Sequence, residues 1–497
     1  MLSIRQIICL ITLLTTTLQA ELPEMMQRMM NQKKYEHSTW GVYFKDTTNG
    51  EILHELNSNQ MFLPASTTKL FTVASLLHAY GDTYRFKTPV FAVGDVNNGV
   101  LKGNLVLVGQ GDLIFGGRFE NSDTVAFTNL DHINANELPE VTLTPQDPLY
   151  AFIEIAKELR LKGIRQIDGE VLIDERLFET VEKRGVVEAP VFINENLIDM
   201  VLNPTQPGQE AKMTWRPQAE GYSVVNKVVT VADGKTEIQI QSDAWGRQII
   251  LKGTIAANEK DLVRTTPIKD PAHFARVALI KALRDQGIVL NPPSNPAVLP
   301  SEEELKQLQP MATWTSAPLS EYAKLILKVS HNVGADLVPL LLAAQKGKKT
   351  FDEGMLLIGD FVVNVAKVSP GTFVFVDAAG ADSNRLTPQA EIQLLDYIRQ
   401  LPKESFQKFY NALPILGVDG SLADFGKDTP NVGKVRAKPG TGMLYNQATG
   451  TFFLTTQALT GFLEAENGHL IEFMLVVNNA SAPKVEDVLA IFGDVLP

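Results

Sequence analysis

Three short groups of residues carry side chains able to do chemistry together. The first is Ser66-Thr67-Thr68-Lys69, inside the run from Leu63 to Leu77. Pro64 and Ala65 suit a helix start, and the apolar residues after Lys69 suit a buried helix body. Residues three apart on a helix share a face, so the Lys69 amine falls within reach of the Ser66 hydroxyl. Burial and the positive end of the helix both disfavour an ammonium there. A neutral amine is left to accept the serine proton, which makes a nucleophile with a built-in base. The spacing alone is weak evidence, because Ser-x-x-Lys recurs as Ser405–Lys408 and Ser481–Lys484. The former lies in a polar segment and the latter has Pro483 between its members, so both read as inert.

The second group is Ser330-His331-Asn332, the only Ser-x-Asn triplet in the chain. It falls between two helical-looking apolar stretches, where a short loop would aim both outer side chains into a cleft. His331 reads as a spacer. The third is Lys438-Pro439-Gly440-Thr441, on a plausible strand next to a second strand over 452–459. Ser-x-x-Lys, Ser-x-Asn and Lys-x-Gly in that order resemble the active-site signature of the serine penicillin-recognising enzymes. Further segments narrow the resemblance. They are Gly41–Phe44, Gly50–Leu53, Gly103–Asp112, Leu416–Leu422 and Val476–Asn479. Together they resemble the class C penicillin-binding proteins, the D-alanyl-D-alanine carboxypeptidase/endopeptidase family, from about Gly41 to Asn479.

The resemblance implies an α+β catalytic domain of the serine DD-peptidase/β-lactamase kind, an antiparallel sheet flanked by helices beside a helical half. It implies that Ser66 attacks a D-Ala-D-Xaa carbonyl, that Lys69 takes the proton, and that Ser330 passes it to the leaving amine. Asn332 would bind the substrate amide, and Lys438 would supply fixed positive charge for the substrate carboxylate. The backbone N–H groups of Ser66 and Thr441, beside Gly440, would form the oxyanion hole. No metal or other cofactor is implied. The expected partners are peptidoglycan stem peptides, with β-lactams as covalent inhibitors. Two departures stand out. Pro439 replaces the usual Thr or Ser, and Asp377-Ala378-Ala379-Gly380 replaces Asp-Gly-Ser-Gly. Two rival readings share the three motifs: a β-lactamase, and a wall-binding scaffold that has lost turnover through Pro439.

Length and charge bound the rest. The 497 residues allow two to four domains, and 44% hydrophobic content is ordinary for a globular chain. Residues 1–20 read as a secretory signal: Arg5, the apolar Ile7 to Leu14, and the small-residue site Leu18-Gln19-Ala20. That segment holds the single cysteine, Cys9, so the exported chain would form no disulfide. Removing it takes the net charge from −12 to −13, a poor match to nucleic acid. No second apolar stretch is long enough to span a membrane. A secreted, periplasmic protein is expected.

The 264 positions between Ser66 and Ser330 exceed what one catalytic core needs. Alternating strand patterns fill residues 89–264, including 227–231 and 236–240 around the hairpin signal Asp233-Gly234. A β-rich insertion over 89–264 is therefore expected to divide the catalytic domain into 21–88 and 265–497. Asp168 and Asp174 lie in it. Solvated turn acids are the default reading for them, and recognition of a cross-link amino group is the sharper one. The acidic tail from Lys484 to Pro497 reads as a helix packed on the protein.

Overall fold

The computed structural model describes residues 22–482 except Pro139. The expected signal segment and the expected C-terminal helix lie outside the described residues. The apolar run after Lys69 forms the helix Lys69–Tyr80. Leu70, Phe71 and Val73 are wholly enclosed, so this helix runs through the core rather than along its surface. Gly81 ends it at φ 82°, returning its N–H to the Leu77 carbonyl.

Beside this helix lies a five-stranded antiparallel sheet. Its order is Ile52–Leu56, Thr39–Asp46, Leu470–Ala482, Thr451–Glu464, Val435–Asn446. Early and late parts of the chain thus pair directly, with Trp40 opposite Val477. Alternate residues of one strand serve two cores, as a period of two requires. Met474 and Val476 join Phe71, Leu325 and Leu395 on the helical side. Phe473, Leu475 and Val477 join Met26, Tyr35 and Leu416 on the other. This is the antiparallel sheet with flanking helices and a helical half that the resemblance implied.

The inserted region is built mainly of three sheets. One contains Val289–Leu290, Gln166–Asp168, Val100–Val108, Lys87–Asn97 and Ala312–Thr315, with Val171–Asp174 also paired to Val100–Val108. The helices Tyr150–Leu161 and Pro271–Asp285 pack on it through Phe152, Ile155, Phe274 and Leu279. The first of these helices was missed in the strand-rich reading, although Phe152, Ile155, Ala156 and Leu159 have helical spacing. By packing and hydrogen bonding, residues 271–315 stay with the inserted layers, because the strands at 289–290 and 312–315 complete their sheet.

The Asp233-Gly234 hairpin does not form. Ser223–Val231 pairs in parallel with Gln248–Ala256, which also takes Glu237–Ser242 on its other edge. The central strand carries Ile249, Leu251 and Ile255, all fully buried, and so occupies the middle of the sheet. Asp168 and Asp174 are used internally. Asp168 accepts from Gln166 and Asn291, and Asp174 pairs with Arg176.

A buried ionic cluster ties the insertion together and borders the second motif. Arg118 donates to both oxygens of Asp131 and to Glu195, and His132 bridges Glu195 and Asp199. Arg216 completes it on Asp199 at 3.1 Å. Burial opposes charge on His132, but Asp199 and Glu195 outweigh it and push the ring up to about 10. Three cations thus face three carboxylates, the pairing a buried charge needs. Among the described residues, no helix is long and apolar enough to cross a membrane.

Candidate active site

The segment that leads into Ser66 is held from two directions. The Phe62 and Leu386 backbones exchange hydrogen bonds of 2.8 and 3.0 Å. From the sheet, Asn478 accepts the Leu63 N–H at 3.0 Å, and Thr456 donates to the Leu63 carbonyl at 2.6 Å. The chain then turns through Ala65 at φ 46°, a conformation costly for a residue with a side chain. Ser66 follows on the 3₁₀ turn Ala65–Thr68, which runs straight into the buried helix.

Two glycines close on this turn from opposite sides. A Cβ at Gly440 would overlap the Pro64 carbonyl oxygen and stand 3.1 Å from the Ser66 nitrogen. One at Gly380, where φ is 105°, would overlap the Ala65 carbonyl and stand 2.8 Å from the same nitrogen. Backbone approach this close admits only glycine.

Lys69 lies at the centre, fully buried. Its Nζ reaches Ser66 Oγ at 2.8 Å, Asn332 Oδ1 at 2.8 Å and the Ala379 carbonyl at 2.7 Å. Burial, helped by the Arg184 guanidinium, brings its amine down to about 7, while Asp336 and Asp377 act in the opposite sense. Near neutral pH a large fraction is therefore free base. Ser66 and Asn332 are only half-buried, so solvent reaches them while the amine stays enclosed.

The strand Val435–Asn446 is the sheet edge, which suits Pro439. Lys438 is fully buried, and its Nζ donates to the Pro439 carbonyl at 2.7 Å. Burial and then the Lys69 charge push it well below the usual lysine range. Two enclosed amines repel, so charge on one disfavours charge on the other. Thr441 is exposed and accepts from Gln457 Nε2 at 3.1 Å.

Ser330 sits in the turn between the helices Leu319–Lys328 and Asn332–Gln345, at φ 58°. It is half-buried, and no hydrogen bond joins its hydroxyl to Ser66 or Lys69. His331 does more than space its neighbours. Its Nδ1 accepts the Gly334 N–H at 2.9 Å and so caps the second helix, beside Asp131 and Glu195. Burial pushes the ring down to about 4, leaving it neutral.

Backbone atoms account for what sequence reasoning missed. The Ala378 carbonyl accepts from Thr72 and the Ala379 carbonyl from Lys69. Asp377 Oδ1 accepts the N–H groups of Gly380 and Ala381 at 2.9 and 2.8 Å. The two alanines that depart from the pattern thus contribute carbonyls, which any residue supplies. The surviving Asp and Gly supply the carboxylate and the close approach. The other Ser-x-x-Lys pair with both members described has a structural use, since Ser405 and Lys408 both bind Asp82 at 2.8 Å.

A family model matches residues 22–493 of this chain. The chain belongs to the D-Ala-D-Ala carboxypeptidase 3 (S13) family. Among curated relatives, it is 25% identical to D-alanyl-D-alanine carboxypeptidase DacB of Haemophilus influenzae, over 92% of this chain and 89% of that one. It is also 25% identical to a D-alanyl-D-alanine carboxypeptidase of an Actinomadura strain, over 95% and 84% of the two chains. The fold matches the crystal structure of penicillin binding protein 4 from Haemophilus influenzae with a TM-score of 0.70. That match covers 94% of this chain and 97% of the other, at 21% identity.

Proposed function

We propose that this S13 protein is a serine D-Ala-D-Ala carboxypeptidase, with DD-endopeptidase action on peptidoglycan cross-links, and that it works through an acyl-enzyme. The observation that carries the mechanism is the enclosed amine 2.8 Å from a half-buried hydroxyl. Ser66 Oγ bonds to the substrate carbonyl carbon as its proton moves to Lys69 Nζ. The oxyanion is held by the backbone N–H groups of Ser66 and Thr441. The C–N bond then breaks, and the leaving amine takes the proton by way of Ser330. Asn332 orders the substrate amide. Water then attacks the ester, and the proton returns through Lys69 to Ser66. Lys438 and the Thr441 hydroxyl receive the terminal carboxylate, which would itself favour a proton on one of the two amines. A signal segment over 1–20 and a wall substrate together support a periplasmic location.

The test is a fluorescent penicillin compared on the native protein and on Ser66→Ala. Stable labelling that disappears in Ser66→Ala is expected. Label that is rapidly shed with drug hydrolysis would point to a β-lactamase, and none at all to an inert wall-binding homologue. D-Ala release measured beside cross-linked dimer cleavage then divides carboxypeptidase from endopeptidase.

Pro439 offers a second measurement. Its carbonyl is occupied by Lys438, and it has no hydroxyl for the substrate carboxylate. Pro439→Thr keeps the carbonyl and adds the hydroxyl. One hydrogen bond to a charged group contributes about 1.5 kcal/mol, so roughly tenfold faster acylation is expected in stopped-flow measurements. An unchanged or slower rate would count against a missing carboxylate contact.

A further inference from the structure

Arg184 belongs to the inserted region but bonds to the catalytic one. It sits at the tip of the hairpin formed by Val181–Lys183 and Val186–Glu188. Arg184 and Gly185 both have positive φ, 50° and 77°, the two-residue turn that matches strand twist. From that tip the Arg184 guanidinium reaches two carboxylates. Its Nε donates to Asp336 Oδ2 at 3.0 Å, and its Nη2 donates to Asp377.

These two acids stand on different walls around Lys69. Asp336 is one turn after Asn332 on the helix Asn332–Gln345, so the two share a face. Asn332 is the residue whose Oδ1 meets Lys69 Nζ. Asp377 organises the opposite wall, gathering the N–H groups of Gly380 and Ala381 just after the Ala379 carbonyl that also meets Nζ. Asp336 is 2% exposed and Asp377 13%, so both acids are enclosed, while the Arg184 side chain that reaches them is 40% exposed. We propose that Arg184 is a positioning residue through which the inserted region assembles the catalytic centre: one guanidinium joins the Asn332 wall to the Ala379 wall and holds both against Lys69. The proposal rests on reading Lys69 as the base for Ser66.

Charge makes the same bridge felt at Lys69. The charged groups facing it are Arg184 from the hairpin, Asp336 from the helix, Asp377 from the loop and Lys438 from the strand. Behind Asp336 lies Glu188, fully buried, with both carboxyl oxygens lacking a hydrogen-bond partner. Burial and then Asp336 push Glu188 well above the carboxylate range, while Lys183 and Arg184 oppose this. Removing the guanidinium leaves the Asp336 and Asp377 charges uncompensated, and these favour an ammonium at Lys69. Removing Asp336 does the reverse.

The test is the pH profile of penicillin acylation. Arg184→Gln is expected to move the acidic limb up by about one pH unit, slowing acylation about fivefold at pH 7. Asp336→Asn is expected to move it down. Arg184→Lys keeps the charge but not the two-pronged bridge. Its limb should stay in place while the plateau rate falls severalfold. Thermal midpoints of all three variants report folding, and if Arg184→Gln does not fold, the downward shift in Asp336→Asn still decides. Limbs of folded Arg184→Gln and Asp336→Asn that coincide with the native one, or a native plateau rate in Arg184→Lys, would overturn the proposal. Failure of the underlying reading looks different: Lys69→Met would then acylate normally.

Discussion

Lys69→Met is expected to slow acylation by penicillin about 10⁴-fold, the upper range for removing a general base. Methionine is unbranched and close to lysine in volume, so the buried surroundings of Leu70 and Phe71 stay filled. What disappears is the amine that contacts Ser66, Asn332 and Ala379. The stability effect has a defined sign. The folded amine titrates near 7, whereas an unfolded lysine titrates near 10.5. Between these values the unfolded chain binds more protons, so stability rises with pH from about 7 toward about 10 and the burial penalty is greatest below 7. The methionine variant should lose that slope. Acylation within tenfold of native, followed with a fluorescent penicillin, would remove Lys69 from the chemistry.

Gly380→Ala and Gly440→Ala are expected to disable the same serine through its backbone, since each new methyl crowds the Ser66 nitrogen. At Gly440 the new methyl overlaps the Pro64 carbonyl, and at Gly380 it overlaps that of Ala65. Neither neighbour can yield freely. Leu63 is tied to Thr456 and Asn478, and Ala65 already sits at positive φ. Overpacking costs about 1–3 kcal/mol, and the φ of 105° adds strain at Gly380. Displacing Ser66 by even 1 Å should slow acylation about 100-fold. The control is Gly359→Ala, in the helix Phe351–Asp360, where an added Cβ meets nothing within 4 Å. It should stabilise by about 0.5–1 kcal/mol and label normally. Urea midpoints and labelling rates measured together check all three. Native labelling by Gly440→Ala would show that the strand and turn are not locked as described.

The separation of Ser66 and Lys69 was legible in the sequence because it is local: three residues on one turn can meet without help from the rest of the chain. The apolar run after Lys69 likewise announced an enclosed helix, and the order of the three motifs indicated one cleft. Local signals also misled. Asp233-Gly234 suits a tight turn whether or not its flanking strands pair, and a distant strand, Gln248–Ala256, took the place between them. The strands after residue 264 are hard to read from sequence for a related reason. Strands at 289–290 and 312–315 are claimed by a sheet begun at Lys87, and two residues of strand carry almost no pattern.

The sequence by itself therefore determined the pairing of Ser66 with Lys69, the family resemblance and the alternation that gives one strand two cores. Only the tertiary structure decided the surroundings of that pair. The Ala379 carbonyl that meets Lys69, the two glycines pressed on Ser66, the His331 cap and the Arg184 bridge all come from contacts between distant segments. Several of them use backbone atoms, which every residue has and no residue type advertises. The lowered basicity of Lys69 is likewise a product of enclosure: an amine loses its proton more easily where the folded chain has removed the water.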